Sequence, residues 1–162
     1  MTCRDAPVSL PVLVTSALVL AACGDDVENP TEENPNEIIT TVTLTFEPVG
    51  GGDARVGELR DADGDGGATP TITGVTLAAG TTYEMSPRFV NELEDPPENI
   101  TPEIFDERDE HQVFVVGEVV EGPATDVTQG ALVRHEYVDF DGLGYPVGLE
   151  NRVAALTPGM GT

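Results

Sequence analysis

From Ile38 onward the chain carries the mark of half-buried strands: Val42, Leu44 and Phe46 alternate with Thr41, Thr43 and Thr45. Side chains of an extended backbone point alternately to opposite faces. Apolar residues at every second position therefore make one face that must be covered and one that water can wet. Stretches of the same kind recur at 55–60, 71–77, 82–93, 111–120, 131–140 and 149–156. Glycine and proline punctuate the gaps, as in Gly50-Gly51-Gly52, Asp63-Gly64-Asp65-Gly66-Gly67, Gly122-Pro123 and Asp141-Gly142. About seven short strands with turns between them predict an all-β domain, an antiparallel immunoglobulin-like sandwich. Phe46, Tyr83, Phe89, Phe114 and Tyr137 are its expected aromatic core. One short helix is expected over 102–108, with Thr101 as cap, Pro102 in the first turn, and Glu103, Asp106 and Glu107 near the positive end of the dipole. The chain closes on Leu156-Thr157-Pro158-Gly159-Met160-Gly161-Thr162, a loop pattern, so the sandwich is expected to lack its last strands.

Ahead of this domain, residues 8–22 are apolar apart from Ser9, Thr15 and Ser16, and Leu20-Ala21-Ala22-Cys23 opens directly onto Gly24-Asp25-Asp26. Small residues before a cysteine let a peptidase approach the backbone, which is the pattern of a bacterial lipoprotein signal. A membrane span would need about 20 apolar residues, and this run is shorter and interrupted by Pro11. An ordinary secretory signal, cleaved without lipidation, is the other alternative. The reading is a signal peptide over 1–22, lipid on Cys23, an acidic tether over 23–36 and the β domain over 37–162. Cleavage removes Cys3, so Cys23 has no partner for a disulfide within the chain and its sulfur is available for lipid. A diacylglyceryl group with an added N-acyl chain would hold the protein firmly, since one acyl chain alone binds only marginally. The tether would reach about 40 Å at roughly 3.3 Å per residue.

Charge narrows the partners. The chain has 30 acidic residues against 7 basic ones, a net charge of −23, and every basic residue is arginine. Such a surface repels phosphate backbones, which excludes nucleic acid as a partner, and it repels anionic head groups, so the body should stand off the membrane that the lipid holds. High salt shortens the Debye length to about 3 Å at 1 M and would relieve this self-repulsion, so the composition predicts a halophilic, salt-dependent fold.

Among motifs that carry chemistry, Asp61, Asp63 and Asp65 alternate within a glycine-rich turn and resemble the start of a calcium loop. An EF-hand would need a glutamate at loop position twelve, where Ile72 stands, and strands flank this loop instead of helices. A weak site of the extracellular kind is the candidate, completed by Asp139 and Asp141 of Asp139-Phe140-Asp141-Gly142 if the loops converge. The competing reading is an acidic hairpin, because Asp-Gly is itself a turn pair. His111 and His135 stand apart without zinc-ligand spacing. Ser86 beside Pro87 lies in no nucleophile elbow, and there is no glycine-rich nucleotide fingerprint. Paired carboxylates are too abundant here to single out a glycosidase pair.

A series of short motifs resembles a family of small, uncharacterised bacterial lipoproteins: Ile39-Thr40-Thr41-Val42-Thr43-Leu44-Thr45-Phe46, Asp63-Gly64-Asp65-Gly66-Gly67, Leu77-Ala78-Ala79-Gly80-Thr81-Thr82-Tyr83, Asn91-Glu92-Leu93, Asn99-Ile100-Thr101, Glu110-His111-Gln112 and Pro146-Val147-Gly148-Leu149. The resemblance implies an envelope lipoprotein, held at the outer membrane, with no catalytic residues to carry over. Some members bear a type 1 periplasmic binding label, an α/β fold that the strand pattern here opposes. The expected function is a non-catalytic binding or structural module with an envelope protein or glycan as partner. The alternatives are a calcium-dependent adhesion or glycan-binding module and a carboxylate-based hydrolase.

Overall fold

The computed structural model describes residues 37–161 apart from Asp65. The expected signal, Cys23 and the tether lie outside the described residues. In chain order the elements are β1 (Thr41–Pro48), β2 (Arg55–Arg60), β3 (Thr71–Thr73), β4 (Thr82–Asn91), β5 (Glu98–Asn99), α1 (Thr101–Asp106), β6 (Val120–Glu121), β7 (Val133–Tyr137) and β8 (Asn151–Ala155). The domain is all-β with one short helix.

The strands join a single eight-stranded sheet in the order β3-β2-β1-β4-β8-β7-β6, with β5 against β4. Pairing is antiparallel except between β6 and β7. The described strands therefore do not divide into the two facing sheets expected of a sandwich. The cause is β4, which pairs along β1 on one side and on the other with β8 from Thr82 to Met85 and β5 at Val90 and Asn91. Pro87 has no N–H to give, and it sits where β4 changes partner between β8 and β5.

Register places the apolar residues on one face. Val42 lies opposite Phe89, Leu44 opposite Pro87 and Phe46 opposite Met85. Tyr83 faces Val153, which in turn faces His135, and Ala155 faces Val133. Residues directly opposite in a ladder share a face, so these positions make one apolar surface across four strands. Thr43, Thr45, Glu84, Ser86, Arg134 and Arg152 take the other face of the same strands.

Several expected elements shift. The helix starts at Thr101 with Ile100 as its cap residue and no side-chain cap. The Thr101 hydroxyl instead accepts the Phe89 N–H at 2.9 Å, which ties α1 to β4 and lets Ile104 bury against the sheet. Of the strand expected at 71–77 only β3 pairs, and Val75 and Leu77 turn inward to pack on the core. Residues 111–119 alternate between half-buried and exposed, yet they join no ladder and turn at 118–119 before Val120 enters one, while Val113 donates its N–H to the Val147 carbonyl at 2.7 Å. Phe46, Tyr83 and Phe89 are buried as expected, whereas Phe114 is 60% exposed and Tyr137 is half-buried. No helix among the described residues is long and apolar enough to cross a membrane.

Candidate functional site

The apolar face of the sheet is covered in two ways. Around Phe89, the side chains of Ile100, Ile104, Val147 and Leu149 pack into a closed cluster, with Val42 and Val113 against it. Around Phe46, Tyr83, Met85, Val153 and Ala155 the cover is looser, drawn from Val75, Leu77 and Val115. Between cover and sheet lies a cavity of about 830 Å³. Its floor is Leu44 and Phe46 of β1, Met85 and Pro87 of β4, and Val133 and Val153 of β7 and β8. Residues 113–116 and the segment 157–161 contribute to its other side. Among the lining residues only Thr76, His135 and Thr157 carry polar side chains.

Two fixed polar groups lie in the sheet near this hollow, and of their residues only His135 lines it. The Tyr83 hydroxyl accepts the Ala78 N–H at 2.9 Å, and its ring meets Phe46 edge-on, so both rings are held in place. His135 and Asn151 are buried as a pair. Asn151 Nδ2 donates to the Gly148 carbonyl at 2.7 Å, so Oδ1 is left to accept, and His135 Nε2 donates to it at 2.8 Å. Gly122 lies close enough to His135 that a side chain at 122 would press on the ring. Beside this pair, burial raises the pKa of the Tyr137 phenol above its ordinary value, the Val115 backbone works against that rise and the Asp139 charge adds to it. At the open surface, the hydrogen bonds that the Arg134 guanidinium donates to the Glu121 carboxylate, and that carboxylate's charge, raise the Arg134 pKa.

The residues expected to bind calcium are placed separately. The Asp139 carboxylate accepts the Gly148 and Leu149 amides, each at 2.9 Å, and Asp141 Oδ1 accepts the Leu143 and Tyr145 amides at 2.8 and 2.7 Å. Both carboxylates thus staple the 139–149 turn. Asp63 Oδ2 accepts the Ala68 amide at 3.1 Å, while among the described residues Asp63 Oδ1 is buried without a hydrogen-bond partner. Asp61 donates its backbone N–H to the Thr40 carbonyl, and Asp65 lies outside the described residues. Asp61, Asp63, Asp139 and Asp141 form no converging set of three or more ligands among the described residues; Glu37, Glu107 and His111 do. A second hollow of about 300 Å³ is lined in part by Glu47, Glu84 and Glu150.

The cavity was not among the expected sites. Its signal is the excess of small β-branched residues over large ones in the cover, Val113, Val115, Val116 and Val119, which cannot reach far enough to fill the space they span. No family model, curated protein or solved structure matches the chain.

Proposed function

We propose that this chain is a lipid-anchored, non-catalytic module of the bacterial cell envelope that holds one acyl-chain-sized apolar molecule against the covered face of its sheet. The observation that carries the binding reading is the half-open cavity of about 830 Å³ with predominantly apolar walls. Its size falls within the roughly 300–1,000 Å³ of small-molecule sites, and such sites are mostly apolar with a few placed polar groups. Anchorage rests on sequence alone: the Leu20-Ala21-Ala22-Cys23 pattern, the acidic segment after it and the likeness to envelope lipoproteins. Lipid on Cys23 would hold the module at the outer membrane. The net charge of −23 keeps its surface clear of anionic head groups and of nucleic acid. An apolar guest suits that arrangement, because its capture draws on buried apolar area and not on the field of the protein.

The test is displacement of a polarity-sensitive fluorophore by palmitate from the full chain, paired with thermal melting. Saturable binding of one palmitate per chain is expected, with a melting temperature that climbs with ligand concentration as mass action requires. Val133→Phe places a larger ring in the floor of the cavity; at least a tenfold loss of affinity with an unchanged or higher melting temperature is expected. Equal affinity in this variant, or no saturable binding in the parent, would reject the reading.

A further inference from the structure

We infer that Glu37, Glu107 and His111 form a zinc-class metal site that fastens the first residues of the domain to the loop after α1. The three side chains come from distant parts of the sequence. Glu37 precedes β1, Glu107 is the C-terminal cap of α1, and His111 lies four residues further on, after the turn at 107–110. His111 Nε2 lies 3.3 Å from Glu107 Oε2 and 3.7 Å from Glu37 Oε1. One ligand atom from each residue falls within 4.8 Å of the others.

These spacings suit a small tetrahedral ion. Zinc binds nitrogen and carboxylate oxygen at about 2.0–2.2 Å, and two ligands at tetrahedral angles are then about 3.3–3.5 Å apart. The 3.3 Å separation falls in that range and the 3.7 Å one lies just above it. The donor set also discriminates among cations. Calcium and magnesium take oxygen ligands, whereas imidazole favours zinc, nickel or copper. Two carboxylates and one imidazole leave a fourth position for water, as in open zinc sites. All three side chains are partly shielded, with 19–35% of their surface exposed, so their charges are screened less than those of the free acidic surface.

An ion here would act as a clasp. Glu37 directly follows the acidic segment at 24–36, and the two other ligands sit where α1 hands over to the cover of the cavity. Metal binding would close a long loop between these points and stabilise the folded chain by mass action.

The experiment uses the full chain carrying Cys3→Ala and Cys23→Ala, so that no thiol competes for zinc. Zinc is titrated against a chromophoric chelator at fixed high salt, with melting temperature followed in parallel and with magnesium and calcium as comparison ions. One zinc per chain is expected, with a melting temperature that rises saturably under zinc and not under equal concentrations of magnesium or calcium. His111→Ala, Glu107→Gln and Glu37→Gln should each weaken zinc binding by tenfold or more, with circular dichroism unchanged. If His111→Ala does not fold, the two Gln variants decide. Zinc affinity unaltered by these substitutions, or a response to zinc no larger than that to magnesium, would overturn the site and leave His111 as the partner of two ordinary ion pairs.

Discussion

One apolar face serves two regions of this molecule, and they differ in what lies over it. At Phe89 the face meets α1 and the 146–149 segment, from which Ile100, Ile104, Val147 and Leu149 are buried and fill the space. At Phe46 and Met85 it meets partly buried side chains from separate loops, Val75, Leu77 and Val115, which leave the cavity. The strands contribute alike to both, since β1 and β4 run through the closed region and the hollow one in a single register. A ladder thus decides which residues share a face, and the cover decides whether that face is a core or a container.

The largest expected effect breaks the closed side. Ile104→Ala removes a buried side chain packed between α1 and Phe89, and should cost about 2–5 kcal/mol, the range for such truncations in filled cores. Leu44→Ala, on the wall of an existing cavity, deletes atoms with fewer neighbours and should cost about half as much or less. Urea denaturation of both variants at fixed salt checks the contrast, and equal losses would mean that the hollow side is packed as tightly as the other.

A smaller effect is expected at the seam between the regions. Gly148 has φ of +89°, and a Cβ there would collide with the Val113 carbonyl oxygen. Gly148→Ala should therefore cost about 1–3 kcal/mol through backbone strain, with a further contribution from displacing Val113. Because the Val113 N–H is bonded to the Val147 carbonyl, the displacement should loosen the cover of the cavity. Amide exchange at Val113 should quicken more than at Phe89. Uniform quickening would show that the cover and the sheet open as one unit.

Much of the sheet could be read from sequence because period two reports burial directly. The bounds of β2 are those expected, and β1 and β4 are where Val42, Leu44, Phe46, Tyr83 and Phe89 place them. The same signal misled at 111–120, where the alternation is real but the covered side is only half-buried and, before Val120, has no ladder partner. Periodicity records which side chains are covered; it does not record what the backbone bonds to. The approach of His111 to Glu107 is not legible in the sequence, because α1 ends at Asp106 and it is the turn over 107–110 that brings the two together. Nor is that of Glu37, because only tertiary folding brings it to them. The cavity was hidden for a related reason, as no local pattern reports the distance between a sheet and its cover.

The smallest expected effect lies at that seam and depends on pH. Tyr137 stacks edge-on against His135 with ring centres 4.5 Å apart, and a side chain on Gly148 would touch it. Burial raises its pKa in the folded chain, so the neutral phenol is favoured by folding. The sign follows from proton uptake. Above the unfolded value of about 10, the folded state holds the proton more tightly than the unfolded state, so stability falls as pH rises from there toward the folded value. Below that window the contribution is fully present. Tyr137→Phe keeps the ring and deletes the ionisable group, so its melting temperature should decline less steeply than that of the parent above about pH 10, with parallel curves near neutrality. Parallel curves throughout the alkaline range would place the phenol in water-like surroundings, and the seam between the closed and hollow regions would then be open to solvent at Tyr137.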